Sequence, residues 1–427
     1  MRMKRTLVAA AGMAATALVL AGCAGSPSDG GSASNGKTTL SISVWNYKQT
    51  PEFKALFDAF EKANPNITIQ PVDILAANYE DKVTTMLAGG DTTDIITVKN
   101  LTDYAGYAQK KQFVNVEGLV KQLPADKIPA LTSYAVDGAQ YAVPYRQDFA
   151  MLFYNKTMFK NAGVAEPTNL TWDEFASDAQ KLTSGSGSDK VYGAYIHTWN
   201  SLVQAYPAAQ KSNAKWDTGD YGWMKDQYKL VLGMQKAGTI MDWGTASSQQ
   251  TSYQTMFETG KAAMVPMGSW LIAPLLADKK AGTNDIDWGI APVPQLKSGT
   301  KITSIGGPTG FGINKNSKHQ DAAKKFLTFA AGEQGADAVA SIGIVPAYHS
   351  DAITTKYFAL DGMPQDDLSK KAFNPDVIKP DGPTGPNAAA IGNILNQEHQ
   401  LIMTGSKSVD DGIAEMESRV KSEVLHQ

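Results

Sequence analysis

Cysteine and histidine, which supply disulfides and many metal sites, are scarce in this sequence of 427 residues. A single cysteine excludes an internal disulfide. The histidines, at positions 197, 319, 349, 399 and 426, show none of the spacings of metal sites. The sequence also lacks a nucleophile elbow, a zinc motif and a Ca²⁺ loop. We therefore expect no metal, no cofactor and no catalytic residue.

The sequence also lacks an excess of positive charge and internal repeats. Lys and Arg number 39 against 42 Asp and Glu, which gives a net charge of −3 at pH 7. A mildly acidic chain argues against nucleic acid as a partner. The absence of repeats argues against a repetitive adhesive or structural protein. With 43% hydrophobic and 19% charged residues, the composition is that of a globular protein with room for two domains.

The N-terminus has the pattern of an export signal. Basic residues at positions 2, 4 and 5 precede an apolar run over residues 7–20, and small residues follow. This run is too short for a membrane-spanning helix, so residues 1–22 are predicted to be a signal peptide. Its removal takes away three basic and no acidic residues, which changes the net charge from −3 to −6.

Cys23 directly follows Leu-Ala-Gly, which resembles the lipobox of bacterial lipoproteins. The resemblance implies that Cys23 becomes a diacylated N-terminus and anchors the protein to membrane lipid; an incidental cysteine at a cleavage site is the alternative. Residues 23–37 are rich in Gly and Ser and are predicted to be a flexible tether. Residues 31–38 match the phosphate-loop pattern by letter, but no strand precedes them, so we reject a phosphate site there.

The first part of the folded chain alternates strand and helix patterns. Apolar residues alternate up to Trp45, helical spacing follows, and buried-type strands end near residues 72 and 98. This order predicts a doubly wound α/β fold. Ligands of such sheets bind beyond the carboxyl ends of the strands, where Trp45, Asn46, Lys99 and Asn100 lie. For Trp45 a place in the core, and for Lys99 a solvated charge, remain alternatives.

Residues 141–159 are apolar and aromatic, and Pro144 interrupts them. Proline cannot donate to a strand ladder, so Pro144 predicts a sheet edge or a break between two strand pieces. We place the passage between two lobes at this break, with Arg146, Gln147 and Asp148 at the mouth of the cleft. The alternative is a hairpin with solvated charges.

The second part of the chain repeats the arrangement of aromatic residues after strands. Trp199 and Asn200 follow a strand predicted over residues 191–197, and Trp270 follows one over residues 262–267. Capping boxes are predicted at residues 171–174 and 317–320.

Nearly the whole chain after the signal resembles the family 1 extracellular solute-binding proteins, the sugar-binding lipoproteins of ABC importers, and it is distantly similar to maltose-binding protein. The stretches that carry the resemblance are 44–46, 60–66, 89–96, 141–156, 171–175, 260–270 and 306–314. The resemblance implies a two-lobed periplasmic-binding-protein-like fold of type II with three interlobe crossings. The crossings are expected near residues 146–148, 304–307 and 343–346, where Pro or Gly interrupts apolar runs.

The resemblance also implies domain bounds, partners and location. The N-terminal lobe is expected over 38–146 plus 307–343, and the C-terminal lobe over 147–306 plus 344–427. The expected partners are an oligosaccharide ligand, ABC permease subunits and, through Cys23, membrane lipid. The expected protein is a monomer on the extracellular face of the cell membrane of a Gram-positive bacterium. Residues 385–389 lack the stacking aromatic of maltose-type relatives, so maltodextrin is not the expected sugar.

Sugars need flat aromatic rings for their C–H faces and directed polar groups for their hydroxyls. The strand ends supply both, with Tyr145 included for its position at the crossing and Gly307 because it lets a ligand approach the backbone. The predicted ligand-binding residues are Trp45, Asn46, Lys99, Asn100, Tyr145, Gln147, Asp148, Trp199, Asn200, Trp270 and Gly307. The alternatives are a secreted glycoside hydrolase, which needs two carboxylates across the bond, and a carrier of a non-sugar solute.

Overall fold

The computed structural model describes residues 37–299 and 301–427, and residues 37–427 form one compact unit. The predicted signal peptide, Cys23 and the tether up to residue 36 lie outside the described residues. The strands are Thr38–Trp45 (β1), Ile67–Ile74 (β2), Ile95–Val98 (β3), Ala135–Val136 (β4), Ala139–Gln140 (β5), Ala142–Asn155 (β6), Tyr192–Ala194 (β7), Ala262–Gly268 (β8), Trp288–Ala291 (β9), Thr303–Ile313 (β10) and Val377–Lys379 (β11).

Helices alternate with these strands through most of the chain, which confirms the α/β class. They are Pro51–Ala63 (α1), Tyr79–Ala88 (α2), Leu101–Gln109 (α3), Glu117–Val120 (α4), Lys156–Ala162 (α5), Trp172–Leu182 (α6), Ser201–Gln210 (α7), Lys225–Lys236 (α8), Trp243–Ser248 (α9), Tyr253–Glu258 (α10), Ile272–Ala281 (α11), Gln320–Ala331 (α12), Glu333–Ala340 (α13), Asp351–Phe358 (α14), Asp367–Ala372 (α15), Ala388–Met403 (α16) and Val409–Arg419 (α17). Within residues 37–299 and 301–427, no helix is both long and apolar enough to cross a membrane.

The main sheet runs in the order β2-β1-β3-β10-β6-β8-β7, with β11 beside β10 and β9 beside β6. The strands β1, β2 and β3 are parallel, as the alternation of strand and helix predicts. Their carboxyl ends therefore point in one direction, and this arrangement brings Trp45 and Lys99 to the same edge of the sheet.

Two hydrophobic cores lie toward opposite ends of the long strands β6 and β10. The first core contains the buried face of α1, whose apolar residues recur at helical spacing from Phe53 to Phe60, together with β1 and β3. The second core is built on β8, β9, α6, α7 and α16. Two cores within one chain are the packing basis of a two-lobed fold.

Strands β6 and β10 contribute to both cores. Val143 and Phe311 are buried in the first core, whereas Phe153 and Ile305 are buried in the second. The two strands pair antiparallel along this passage. A third segment, residues 344–347, lies beside β6: the backbone N–H of Gln147 donates to the carbonyl of Val345 over 3.1 Å. Three chain segments thus run side by side between the cores.

Two local predictions are wrong. Strand β6 is unbroken at Pro144; the missing donor is accommodated by an irregularity in its pairing with β10, between Thr309 and Gly310, instead of a break. The capping box predicted at residues 317–320 does not form, because α12 begins only at Gln320 and its N-cap is His319; the Ser317 hydroxyl donates to the carboxylate of Asp94 over 2.6 Å and accepts from the backbone N–H of His319. The capping box at residues 171–174 is confirmed.

Candidate functional site

A buried ion-pair network occupies the crossing between the two cores. The guanidinium of Arg146 donates to Glu52 over 2.6 Å and lies 2.8 Å from Asp148, and all three side chains are at most 9% exposed. Glu52 belongs to α1, which packs in the first core. The hydroxyl of Ser269, at the end of β8 in the second core region, donates to the other oxygen of Asp148 over 2.9 Å. The network therefore joins groups held by both cores.

In this network, burial and ion pairing have opposite effects on the pKa values of the carboxyl groups. Burial raises the pKa of Glu52 above its usual value, and Arg146 acts in the opposite direction. Burial likewise raises the pKa of Asp148, while Arg146 and the hydrogen bond from Ser269 lower it. Burial lowers the pKa of Arg146, but the neighbouring carboxylates raise it by more, so the net effect is a raised pKa. Arg146 is thus the cation that opposes the effect of burial on the pKa of both carboxyls.

Trp45 and Lys99 lie close together at the strand ends of the first core, as predicted. The ammonium of Lys99 is 5.6 Å from the Trp45 ring, and the Arg146 guanidinium is 5.7 Å from the same ring. Trp45 is only 7% exposed, because Phe53 and Tyr79 pack edge-on against it.

The polar residues beside this ring have partners in the protein. Lys99 lies 3.2 Å from the carboxylate of Glu80, and Asn100 donates to the same carboxylate over 3.1 Å. The side-chain oxygen of Asn100 also caps α3. Asn46 has a positive φ of 43°, and its side chain accepts from the backbone N–H of Ala76 over 3.0 Å. The side chains of Asn46, Lys99 and Asn100 therefore stabilise the conformation of the chain at the ends of β1 and β3.

An aromatic cluster lies at the strand ends of the second core. Trp199 is 42% exposed, and its ring lies 6.1 Å from that of Trp270 and 4.6 Å from that of His197. Burial lowers the pKa of His197 to about 4, so this ring is neutral at pH 7. Gly268 lies under the Trp270 ring, which occupies the space that a Cβ at this position would need. The glycine lets the indole lie against the end of β8.

Tyr253, at the start of α10, connects the aromatic cluster with the ion-pair network. Its ring lies 5.8 Å from that of Trp199. Burial raises the pKa of Tyr253, whereas hydrogen bonding with Trp270 and the charge of Arg146 oppose this effect. Aromatic surface from the second core and the charges of the crossing therefore form one region.

The remaining predicted residues differ in their surroundings. Tyr145 is buried against Phe311, at 4.7 Å between ring centroids, and its hydroxyl has no partner among the residues that the structure describes. Gln147 is half-buried and donates to the carbonyl of Asp148. Asn200 donates to Gln204 over 2.8 Å.

Gly307 pairs with Asp148 across β10 and β6 and has open space where a Cβ would point. A ligand can therefore reach the backbone at this point of the crossing.

Sequence reasoning missed Glu52, Tyr253 and Ser269. The signal for Glu52 was available: it is a carboxylate in the first turn of α1, two residues after Thr50, where a charge is favoured by the helix end. No pattern distinguished Tyr253 from the many other tyrosines. No group of three or more His, Cys, Asp or Glu residues within 37–299 and 301–427 is arranged to hold a metal ion.

Comparison with known proteins agrees with this architecture. The family model described as bacterial extracellular solute-binding protein matches residues 46–337. A sugar transporter from Rhizobium etli, solved in an open conformation, is 35% identical, with a TM-score of 0.75 over 90% of this chain and 99% of that one.

Two curated relatives extend the comparison. The diacetylchitobiose binding protein of Streptomyces coelicolor is 26% identical over 81% of this chain and 82% of its own. The multiple sugar-binding protein of Streptococcus mutans is 25% identical over 74% of this chain and 75% of its own. The fold is that of the type II periplasmic binding proteins. The chain belongs to the family of bacterial extracellular solute-binding proteins.

Proposed function

We propose that this protein is the substrate-binding component of an ABC importer and captures an oligosaccharide between its two cores. The main support is the aromatic cluster at the crossing, in which Trp199 and Trp270 present ring surface beside the Arg146–Asp148 pair. Stacking surface next to directed polar groups is what a sugar requires. The relatives that bind sugars by name add to this support.

In this proposal the eleven residues predicted from the sequence line the ligand site with unequal roles. Trp199 and Trp270 provide stacking surface, and Gln147 and the open backbone at Gly307 meet ligand hydroxyls. Asp148 has both oxygens engaged by Arg146 and Ser269, so it orients these donors as well as facing the ligand. The remaining predicted residues stabilise the strand ends or contact the edge of the ligand. They are Trp45, Asn46, Lys99, Asn100, Tyr145 and Asn200.

Release and delivery follow from hinge motion between the lobes. We propose lobes over 38–146 plus 307–343 and over 147–306 plus 344–427. A ligand that contacts both lobes only in the closed form shifts the population toward that form. A pair of membrane permease subunits then recognises the closed, loaded protein.

We propose that the protein is exported by residues 1–22, cleaved, and anchored by lipid on Cys23. Residues 23–37 then tether a monomeric binding unit to the extracellular face of the membrane of a Gram-positive cell. About 14 flexible residues give an r.m.s. reach of roughly 20 Å, enough to let the unit approach a permease in the same membrane. We propose no catalytic activity.

A titration tests the function directly. The fragment 37–427, which contains both cores, is titrated calorimetrically with maltotriose, mannotriose, N,N′-diacetylchitobiose and galactobiose, and the sugars are then analysed for cleavage. One site per chain with intact sugar supports the proposal, and cleavage products contradict it. Trp270→Ala should weaken binding of the active sugar by about 10- to 100-fold through lost ring burial. Trp223→Phe, a change in the second core, should leave the affinity unchanged.

A further inference from the structure

The segment that carries the exposed ring of Trp199 is held from behind by a buried polar network. The Asn200 amide donates to the side-chain oxygen of Gln204 over 2.8 Å, and the Gln204 amide donates to the Tyr228 hydroxyl over 2.8 Å. That hydroxyl lies 3.0 Å from Nδ1 of His399. Helices α7, α8 and α16 each supply one of the buried groups. The network therefore runs from the residue next to Trp199 into the second core.

The proton positions along the network follow from its chemistry. Burial lowers the pKa of His399 to about 3, against an opposing effect of the Thr198 backbone, so the imidazole is neutral at pH 7. The Tyr228 hydroxyl accepts from Gln204, so its own proton is directed to Nδ1 of His399. Nε2 then carries the imidazole proton, and it has no partner among the described residues. Gln204 also donates to the Leu395 carbonyl over 3.2 Å, which fixes the orientation of its amide.

A second contact connects the same segment to His399. The indole N–H of Trp243, at the start of α9, donates to the Thr198 carbonyl over 3.1 Å. The Trp243 ring also packs edge-on against the His399 ring, with 5.9 Å between centroids. The backbone carbonyl of Trp199 itself accepts from the N–H of Leu202 over 3.1 Å. The residues on both sides of Trp199 are thus connected to His399 by separate routes.

Local structure alone does not require these polar groups. Asn200 is the N-cap of α7, where asparagine usually accepts from a backbone N–H of the first turn, yet it makes no such capping bond. Gln204, Tyr228 and His399 are completely buried, where apolar side chains of the same size would need no partners. Polar groups at such positions restrict geometry, because each hydrogen bond has a preferred direction. The geometry that they restrict is that of residues 198–200.

Resting on the proposed function, we infer that Tyr228 and His399 are positioning residues for the stacking of a sugar on Trp199. Through Gln204 they hold residues 198–200 so that the Trp199 ring keeps an accessible face. This ring is 42% exposed although other aromatic rings surround it. A stacking surface that is fixed before the ligand arrives loses less conformational freedom on binding, which raises the affinity.

The test compares Tyr228→Phe with Tyr221→Phe in fragment 37–427, titrated calorimetrically with the four sugars named above. Tyr221 is the matched control, because it is also a completely buried tyrosine of the second core and its hydroxyl donates to the Trp216 carbonyl over 2.7 Å. Both variants lose a buried hydroxyl, so both should melt at a lower temperature. Only Tyr228→Phe should weaken the sugar that binds, by about 3- to 10-fold, the usual effect of one hydrogen bond.

The Trp199→Ala background separates positioning from a general loss of structure. Because the network acts through the Trp199 ring, Tyr228→Phe should cause no further loss of affinity once that ring is absent. In protein labelled with 5-fluorotryptophan, the ¹⁹F resonance of Trp199, identified by its loss in Trp199→Ala, should shift or broaden in Tyr228→Phe and stay in place in Tyr221→Phe. Trp243→Phe removes the other connection to the segment and should act in the same way, so it replaces Tyr228→Phe if that variant does not fold.

Four results overturn the inference while the proposed function stands. They are an unchanged affinity of Tyr228→Phe, an equal loss of affinity in Tyr221→Phe, a full further loss in the Trp199→Ala background, and a Trp199 resonance that does not move. If the unmutated fragment binds none of the sugars or cleaves them, the proposed function fails and the inference fails with it.

Discussion

Replacing Arg146 by methionine should destabilise the protein strongly, because it leaves two buried carboxylates without their cation. The guanidinium lies 2.6 Å from Glu52 and 2.8 Å from Asp148, and the side chains involved are 3–9% exposed. Methionine keeps much of the length and volume of the arginine stem but no charge. The variant therefore isolates the electrostatic role of Arg146 from its packing.

The expected loss in the free energy of unfolding is about 3–5 kcal/mol, the usual cost of removing one partner of a buried pair. The loss should depend on pH. Burial already raises the pKa of both carboxyls, and Arg146 holds them down, so its removal raises their folded pKa further above the unfolded value. Stability from such groups is present below the unfolded pKa and is lost as the pH rises through the folded pKa. The deficit of the variant should therefore be largest at pH 8 and smaller at pH 5.

Urea unfolding of fragment 37–427, followed by tryptophan fluorescence at both pH values, measures this loss. Lys121→Met is the control, because its partner Glu117 is 39% exposed and such surface pairs contribute about 0.5 kcal/mol or less. Adding Glu52→Gln and Asp148→Asn to Arg146→Met removes the stranded charges and should recover at least about half of the loss. A loss below about 1 kcal/mol, or an equal loss at both pH values with no recovery, would refute the electrostatic account.

Three further perturbations test other parts of the molecule. Gly268→Ala should displace the Trp270 ring and weaken sugar binding by about tenfold or more in calorimetry, with a smaller effect arguing against ring placement by this glycine. Cys23→Ser should move the full-length protein from the membrane fraction to the medium, whereas persistence in the membrane would contradict lipid anchoring. Burial, and then the neighbouring Asp278, raises the pKa of Glu258 to about 7, so the stability that this group adds is lost as the pH rises through that value. Glu258→Gln should therefore melt at a higher temperature than the unmutated protein at pH 8 and show no such gain at pH 5.

Most of the fold could be predicted from local patterns because burial imposes them. The alternation that ends at Trp45 and the helical spacing from Phe53 to Phe60 each describe one face packed in the first core. The strand predicted over residues 191–197 is shorter, Tyr192–Ala194, because its pairing with β8 ends there. Register and pairing partners depend on contacts distant in sequence, which local periodicity does not contain.

Pro144 shows where a local rule gives the wrong structure. A proline in a strand removes one donor, and the rule predicts an edge or a break. Here β6 lies inside the sheet, and the pairing irregularity opposite Gly310 accommodates the missing donor while the strand continues. The rule identified the correct place but not the response of the neighbouring strand, since that response depends on β10, more than 150 residues away in sequence.

Position beyond a strand end predicts that a side chain reaches the cleft edge, but it does not predict whether the side chain is free to bind. Asn100 caps α3, Lys99 pairs with Glu80, and Trp45 is covered by its neighbours. Trp199, by contrast, is 42% exposed, and its partner Trp270 is only partly buried. Stacking on a sugar requires an accessible ring face, so it should come from the second core's aromatic cluster, while the first core contributes charge and shape. A ligand would then bind first to the lobe with the exposed rings, and closure would bring the polar strand ends of the other lobe to its hydroxyls.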